Sequence, residues 1–346
     1  MKAKAAILTQ LKEPLLVEDI EVPDPGQNQV LVKVRYSGLC GSQIGEIDGA
    51  KGPDKFLPHL LGHEGAGVVL KTGAGVQTVK EGDHVVLHWR KGLGLESKPP
   101  VYQWRGKALN AGWVTTFNEL AVVSENRVTR IPNDFDLKLA SLLGCAVITG
   151  LGIVANDAKV KSGESVVVFG AGGMGLNVIQ AAKVAGASPI VVVDLLDSKL
   201  ALAKTFGADV VVNSRNEDAR EAVARALPKG ADVVVDNTGL SPVIELAYEL
   251  TAPQGRTILV GVPKAGSRVS IDTMPLHFGK ILTGSHGGQA EPGRDIPHCL
   301  DLFARGKLKL QEMITDTFTL NDINAAVDGL RSGKIAGRAL IEISPS

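Results

Sequence analysis

Hydrophobic residues over the first 140 positions fall in short alternating runs separated by polar and turn-forming residues. The clearest runs are Val30–Val34, Gly65–Leu70, Asp83–Leu87 and Leu120–Val123. Runs of this length, bounded by Gly, Asp or Asn, are typical of β-strands. They predict a β-rich barrel or sandwich with long connections. The segment Lys91–Gly112 has no hydrophobic period and contains two prolines, so we predict an extended loop there.

The pattern changes near Leu139. Leu139–Ala155 is apolar and rich in small residues, which predicts a pair of buried helices. Strand-like and helix-like segments then alternate, and this alternation predicts an α/β fold with a parallel sheet and helices on both faces. The predicted strands are Ser165–Phe169, Ile190–Val193, Val210–Val212, Asp232–Asp236 and Arg256–Val260, and the predicted helices are Gly173–Ala185, Leu196–Phe206, Glu217–Ala226 and Pro242–Leu250. Two further helices, Ile296–Arg305 and Leu320–Ser332, precede a last strand at Arg338–Ile343.

The amino-acid composition limits the kinds of molecule that the protein is expected to bind. The chain has 346 residues, with 37 Lys and Arg balanced by 37 Asp and Glu. Because there is no basic excess, we expect neither a nucleic acid nor an anionic membrane as a partner. Three cysteines leave at least one unpaired, which indicates the reducing cytoplasm. No apolar run reaches the length of a membrane-spanning helix, and no signal peptide is expected.

A glycine-rich motif follows the predicted strand that ends at Phe169 and opens the next helix. Its residues are Gly170, Ala171, Gly172, Gly173, Met174 and Gly175. In this context the glycines allow a tight turn, a close approach of the backbone to a pyrophosphate, and packing of the helix on the strand. Asp194 ends the following strand, where a carboxylate accepts ribose hydroxyls and repels a 2′-phosphate. The motif therefore predicts NAD rather than NADP, and the alternative is an ordinary glycine turn beside a solvated aspartate.

Three metal-ligating side chains stand far apart in the sequence, each beside glycine. They are Cys40, His63 and Cys145. Two thiolates and an imidazole form a zinc site with an open fourth position, which is the arrangement of a catalytic zinc. Such a zinc lowers the pKa of a substrate hydroxyl, as hydride transfer to a nicotinamide requires. On these residues alone, two buried cysteines and an ordinary histidine remain an alternative.

Together these motifs resemble the zinc-dependent medium-chain dehydrogenase/reductase superfamily, which includes the alcohol and polyol dehydrogenases. The matching segments occur in family order at Gly38–Ser42, Pro58–Gly65, Gly82–Val85, Gly144–Gly150, Gly170–Gly175, Asp194 and Gly333–Arg338. The resemblance implies a β-rich, GroES-like catalytic domain from residues 1–146 and 288–346. It also implies a doubly wound Rossmann domain for NAD over residues 147–287.

The resemblance also implies roles for single residues. Cys40, His63 and Cys145 would bind one catalytic zinc per chain, with Glu64 as a further ligand or beside the ligands. Ser42 would accept the substrate proton. Trp89 and Phe117 would line the substrate pocket. Cofactor contacts would come from the glycine motif, from Asp194, and from Thr149, Lys199, Val262, Ser285 and Arg338.

The implied reaction moves a hydride between NAD and an alcohol or its aldehyde or ketone, with a polar alcohol or a polyol as possible substrates. The implied assembly is a homodimer or homotetramer. Two other hypotheses share parts of the pattern: a zinc-free quinone or enoyl reductase of the same fold, and a non-catalytic dinucleotide-binding protein. Cys40, Cys145 and Asp194 argue against the reductase.

The sequence departs from the family pattern at three places. Relatives often hold a structural zinc on four closely spaced cysteines, but no cysteine lies between Cys40 and Cys145. We therefore expect Arg90–Gly112 to fold without a metal. Gln43 replaces a frequent aspartate that orients the metal-bound imidazole. Gly45 replaces a frequent histidine, so the proton relay is expected to end elsewhere.

Overall fold

A computed structural model describes residues 1–344 and divides the chain into two compact units. The first unit contains residues 1–145, 291–305 and 310–344, and the second contains residues 146–290 and 306–309.

The first unit is mostly β-structure. Its strands are β1 Lys2–Leu8, β2 Leu16–Glu21, β3 Gln29–Leu39, β4 His59–Leu60, β5 Glu64–Thr72, β6 His84–His88, β7 Tyr102–Trp104, β8 Lys107–Leu109, β9 Leu120–Ser124, β10 Val128–Ile131, β17 Ile314–Thr319 and β18 Arg338–Glu342. Its helices are α1 Gly41–Ile47, α2 Leu137–Ala140, α8 Pro292–Ala304 and α9 Ile323–Arg331. Short 3₁₀ turns occur at Glu125–Arg127, Ser141–Gly144 and Leu320–Asp322.

Two sheets form this unit, in the strand orders β4-β1-β2-β7-β8 and β10-β6-β5-β3-β18-β17, with β9 also paired to β3. The long strand β3 lies at the centre because its alternate residues Val30, Val32 and Val34 are fully buried in the main core. Its end delivers Cys40, and the neighbouring strand β5 begins directly after His63. The antiparallel ladder thus brings two predicted metal ligands to one end of the sheet.

The second unit is an α/β sandwich. Its strands are β11 Val166–Phe169, β12 Ile190–Asp194, β13 Val210–Asn213, β14 Ala231–Asp236, β15 Thr251–Leu259 and β16 Ile281–Gly284. Its helices are α3 Ala146–Gly152, α4 Gly173–Val184, α5 Asp197–Phe206, α6 Ala219–Ala226 and α7 Ser241–Leu250. A π-helical turn covers Ile153–Asp157, and 3₁₀ turns cover Met274–Phe278 and Gly287–Gln289.

All six strands of the second unit run parallel, in the order β13-β12-β11-β14-β15-β16. The central strand β11 has the sequence VVVF and is buried throughout, as expected for a strand covered by helices on both faces. The strand order reverses between β11 and β14, and doubly wound sheets bind ligands beyond the carboxyl ends of their strands at such a point. The glycine motif follows β11 at this position.

The prediction of an extended loop at Lys91–Gly112 is partly wrong, because this segment contains the hairpin β7–β8. Arg105 and Gly106 form its turn with φ of 51° and 71°, the left-handed conformation that a tight two-residue hairpin needs. The hairpin is anchored by the Tyr102 hydroxyl, which accepts a hydrogen bond from the backbone N–H of Val122 at 2.8 Å. The strands are only three residues long, which is too short for a detectable alternation.

Six other strands were not predicted from the sequence: β1, β2, β4, β10, β16 and β17. β1 buries mainly alanine, a residue with low strand propensity, and β16 is largely exposed at the edge of its sheet. Within residues 1–344 no single helix has the length and apolar character to cross a membrane. One bent pair, Leu137–Gly144 with Ala146–Asp157, passes on length and composition alone.

Candidate active site

Three potential metal ligands of the first unit converge on one point. The two sulfur atoms and a ring nitrogen of Cys40, His63 and Cys145 all lie within 4.8 Å of one another. Cys40 precedes α1 as its N-cap, His63 precedes β5, and Cys145 follows the 3₁₀ turn Ser141–Gly144. Chain segments more than a hundred residues apart therefore supply one three-donor group.

Glycines permit this crowding. A Cβ atom on Gly144 would lie 2.2 Å from the backbone oxygen of Leu87, so only glycine lets the chain before Cys145 pass so close to β6. Gly62, next to His63, has a φ of +91°, and a Cβ there would lie 2.3 Å from the Thr116 hydroxyl oxygen. A side chain at either position would displace the neighbouring ligand.

The donor set fits zinc. Tetrahedral zinc with bonds of about 2.0–2.3 Å holds its sulfur and nitrogen donors roughly 3.5–3.8 Å apart, within the spread of the three atoms. The Cys145 thiol lowers the pKa of Cys40 well below its usual value; burial opposes this shift, and His63 adds to it. Thiolate is the form of cysteine that binds metal. Three ligands leave the fourth position of a tetrahedral ion open.

Gln43 contacts the ring of His63. Its side-chain amide is 1% exposed and meets Nδ1 of His63. A ring that binds metal through Nε2 carries its proton on Nδ1, so its partner must accept. A half-turn of the amide presents Oε1, which has no hydrogen-bond partner among the described residues, to that proton. Gln43 thus occupies the place of the frequent aspartate and can orient the imidazole without adding charge.

A buried ion pair lies beside this centre. The Glu64 carboxylate has no exposed surface and pairs with the guanidinium of Arg338, which is 4% exposed. Gly38 leaves room for the pair, because a Cβ there would lie 2.7 Å from the Glu64 carboxyl group. Glu64 is not a member of the convergent three-donor group. The predicted contact of Arg338 with the cofactor stays a prediction.

The other predicted residues of the first unit differ in exposure. Ser42 is exposed in the first turn of α1. Trp89 is half-buried directly after β6, whereas Phe117 is fully buried in the main core. A Cβ on Gly45 would make only an ordinary 3.6 Å contact with Ala50. The substrate and proton roles of Ser42, Trp89 and Phe117 stay predictions.

The glycine motif of the second unit has the features predicted for its glycines: a tight turn, an open backbone and close packing of the helix. Gly170 has a φ of +88°, and a Cβ on Gly175 would lie 1.9 Å from the backbone oxygen of Gly170. Nothing lies within 4 Å of a Cβ placed on Gly172, so the backbone is open to a ligand there. Helix α4 begins at Gly173 and directs its free N–H groups towards this opening. These features fit a dinucleotide pyrophosphate.

Asp194 binds the glycine motif as well as its own turn. Oδ2 accepts the backbone N–H of Ala171 at 2.7 Å, and Oδ1 accepts those of Leu195 and Leu196 at 2.7 and 3.0 Å. A carboxylate has about four acceptor positions. Three are thus filled by the backbone, and the fourth, on Oδ2, can receive a ribose hydroxyl.

The remaining predicted cofactor residues, Thr149, Lys199, Val262 and Ser285, all lie in the second unit. Thr149 is buried, Lys199 is half-buried and Val262 is 70% exposed. The Ser285 hydroxyl accepts the backbone N–H of Gly288 at 3.0 Å. Sequence reasoning missed Asn237, which follows β14 and donates to the Phe169 carbonyl at 3.3 Å. The sequence did contain a signal for Asn237, because it is a polar residue directly after a buried central strand.

Comparison with known proteins identifies the family. The model of the alcohol dehydrogenase GroES-like domain matches residues 26–133, and that of the zinc-binding dehydrogenase matches residues 173–305. The S-(hydroxymethyl)glutathione dehydrogenase of Paracoccus denitrificans is 32% identical, over 96% of this chain and 98% of its own. The chain belongs to the zinc-type alcohol dehydrogenases.

Two solved structures of such dehydrogenases share the whole fold. A zinc-binding alcohol dehydrogenase domain protein of Burkholderia ambifaria has a TM-score of 0.91 and 28% identity, covering all of both chains. Benzyl alcohol dehydrogenase of Acinetobacter calcoaceticus has a TM-score of 0.90 and 27% identity, covering 99% of this chain and 100% of its own. The family uses catalytic zinc and NAD to interconvert alcohols and carbonyl compounds, which confirms the predicted fold, cofactors and reaction over the two alternatives.

Proposed function

We propose that this alcohol dehydrogenase holds its catalytic zinc on Cys40, His63 and Cys145. The convergence of these three donor atoms within 4.8 Å carries the proposal. Zinc, when bound, would act as a Lewis acid and lower the pKa of the substrate hydroxyl towards neutrality. Gln43 orients the imidazole of His63. Arg338 neutralises the charge of the Glu64 carboxylate beside the centre. The substrate is a small-molecule alcohol or carbonyl compound, with the polar or polyol class still a prediction.

Ser42 takes the substrate proton in this proposal. It is two residues from Cys40 and is exposed, so its hydroxyl is available to a ligand. Gly45 has no side chain to receive the proton next. The proton therefore passes to water, to the ribose hydroxyls or to another histidine, of which His59 is one candidate.

The second unit binds NAD in this proposal. The pyrophosphate lies on the glycine motif and the start of α4, and the remaining acceptor position of Asp194 takes one hydroxyl of the adenosine ribose. Its negative charge disfavours a 2′-phosphate. The proposed contacts are completed by Thr149, Lys199, Val262, Ser285 and Arg338. The domains are proposed at residues 1–146 with 288–346 and at residues 147–287.

We also propose that the protein works in the cytoplasm as a homodimer or homotetramer, without a nucleic-acid or membrane partner. Strand β16 supports the oligomer, because it is an exposed edge of the parallel sheet. Ile281 on this edge is 49% exposed, and the nearby Met274 and Phe278 are 61% and 70% exposed. An exposed edge with apolar neighbours favours pairing with a second copy.

A panel of alcohols with the purified zinc-loaded protein, followed by the appearance of NADH, tests the proposed function. Ser42→Ala is expected to lower kcat by about 10²–10⁴-fold with zinc retained, the range of general acid–base assistance. Gly45→His, at a position where a Cβ makes only an ordinary contact, is expected to add an ionisation near pH 6.5 to the profile of kcat against pH. Wild-type turnover by Ser42→Ala, with hydride transfer rate-limiting, would show that another group takes the proton.

A further inference from the structure

The 3₁₀ turn Glu125–Arg127, between β9 and β10, holds the segment that follows β6. All three of its residues are buried. The Glu125 carboxylate and the Asn126 carbonyl accept backbone N–H groups of Leu95 and Gly92, at 3.0 and 2.8 Å. The turn therefore acts as an internal anchor for residues 90–97, and neither the zinc chemistry nor the cofactor explains it.

Arg127 extends this anchor to two tryptophans. Its side chain is 5% exposed, and one guanidinium nitrogen donates to the backbone oxygen of Trp89. Nη2 pairs with Glu96 at 2.8 Å, and the guanidinium carbon lies 5.3 Å from the ring centre of Trp113. One buried cation thus fixes the backbone of Trp89 and the ring plane of Trp113.

Both tryptophans border the chain segment that carries His63. Strands β5 and β6 pair Glu64 with His88 as the last pair of their ladder, and His63 and Trp89 are the residues that adjoin this pair along the chain. Trp113 is three residues before Thr116, and Thr116 and Phe117 both donate to the backbone oxygen of Leu61 at 3.1 Å. Leu61 is two residues before His63. Each tryptophan is therefore tied through the backbone to the approach to the metal centre.

We propose that Arg127 is a positioning residue that sets selectivity for flat, apolar alcohols by fixing Trp89 and Trp113 beside the zinc centre. The proposal rests on the proposed function, because it assigns a substrate preference to the same site, and it replaces the polar or polyol class named there with apolar alcohols. Indole rings offer flat apolar faces to a ligand, but those faces select only while their positions are fixed. Arg127 does not touch the substrate in this account; it acts through the backbone of Trp89 and the ring of Trp113.

The geometry requires arginine rather than any cation. A planar guanidinium can stack on a ring, donate to a carbonyl and pair with a carboxylate at the same time. Lysine keeps the charge for Glu96 but cannot do all three. Arg127→Lys therefore tests the geometry with the buried charge retained, and Arg127→Met removes the charge as well.

The experiment compares oxidation of benzyl alcohol and of ethanol by the zinc-loaded enzyme. In Arg127→Lys and Arg127→Met we expect the ratio of kcat/KM for benzyl alcohol to that for ethanol to fall about tenfold, within the range that pocket contacts supply. Trp113→Phe should lower the ratio less, because a smaller ring remains under the guanidinium. Arg130→Met is the matched control: Arg130 is three residues away, 58% exposed and paired with Asp83, and its loss should leave the ratio unchanged.

A second readout separates this proposal from the proposed function. Benzyl alcohol binding to the zinc-loaded protein without NAD is followed by quenching of tryptophan fluorescence. Weaker binding by Arg127→Lys than by Arg130→Met supports the proposal even if NAD is not reduced, a result that would contradict only the proposed function. An unchanged ratio and unchanged quenching in Arg127→Lys and Trp113→Phe would overturn it, and these two variants decide the matter if Arg127→Met does not fold.

Discussion

Two regions of the first unit show opposite ways of closing a loop-rich structure. At the metal centre, donor atoms of Cys40, His63 and Cys145 crowd within 4.8 Å, an arrangement that a cation completes. At the segment after β6, the Glu125 carboxylate accepts N–H groups of Gln77, Thr78 and Leu95 at 2.5, 2.6 and 3.0 Å. The first region needs an ion for its chemistry, and the second is held by a carboxylate and backbone groups that the chain itself provides.

Charge explains how the chain's own groups hold the second region together. Burial alone would raise the pKa of Glu125, but hydrogen bonds from the backbone of Gln77, Leu95 and Thr78 outweigh it and leave the pKa below its usual value. Glu96 pairs with both Lys91 and Arg127, at 2.9 and 2.8 Å, and hydrogen bonds from these cations lower its pKa too. Each acid in this segment is therefore matched by donors or cations.

The cofactor loop of the second unit uses the same device. Asp194 also accepts three backbone N–H groups, from Ala171, Leu195 and Leu196. Glu125 is 2% exposed, whereas Asp194 is half-buried and keeps one acceptor position. The comparison teaches that a carboxylate can either close a loop completely or close it while remaining available to a ligand, depending on how many of its positions the backbone fills.

The largest effect is expected from a substitution that removes a ligand of the metal centre. Cys145→Ser removes one of three zinc ligands, so we expect zinc to be lost and kcat/KM to fall about 10³-fold or more. The fold should survive, because the core of the first unit does not depend on the centre. Circular dichroism is the control, and a wild-type zinc content in Cys145→Ser would contradict the ligand assignment.

A substitution at Glu125, in the second region, should instead lower the stability of the folded protein. Glu125→Gln removes a buried charge that accepts three N–H groups, and we expect the free energy of unfolding to fall by about 2 kcal/mol at pH 7. Zinc content should be unchanged. The exposed Glu81→Gln is the matched control, with an expected change of less than about 0.5 kcal/mol. A loss of zinc in Glu125→Gln, or equal stability of the two variants, would contradict this account.

The pH dependence of that difference follows from the lowered pKa. Because the folded pKa of Glu125 lies below its unfolded value of about 4.3, its stabilisation is complete above pH 5 and is lost as the pH falls through the folded pKa. Urea unfolding of wild type and Glu125→Gln between pH 7 and 3 should show the two free energies converging on acidification. A constant gap would show that the carboxylate charge is not the stabilising feature.

The smallest effect is expected at Asp194. Asp194→Gly with Leu195→Arg removes the charge and supplies a cation, so the preference for NAD should move towards NADP. Because the backbone N–H of Ala171 also loses its acceptor, we expect NADH affinity to weaken about tenfold, near 1.4 kcal/mol. Asp194→Asn, which keeps an acceptor, should weaken NADH binding less. Unchanged cofactor preference in the double variant, measured by fluorescence titration, would contradict the role of Asp194.

The sequence predicted what is encoded locally. The glycine motif and Asp194 follow strands with clear hydrophobic runs, so their positions in the sheet could be predicted without a structure. Cys40, His63 and Cys145 are distant in sequence, and only the family resemblance favoured a site over the alternative. The turn Glu125–Arg127 could not be predicted, because Glu125 binds residues 30 and 48 positions away and nothing in its local pattern indicates them. The hairpin β7–β8 was missed because its strands are so short.

The metal content of the purified protein tests the central claim most directly. Elemental analysis, with protein concentration from amino-acid analysis, should give one zinc per chain in the wild type and in Glu125→Gln, and close to none in Cys145→Ser. Two zincs per chain in the wild type would contradict closure of the segment after β6 without metal. A wild type that binds no zinc under saturating conditions would contradict the centre at Cys40, His63 and Cys145.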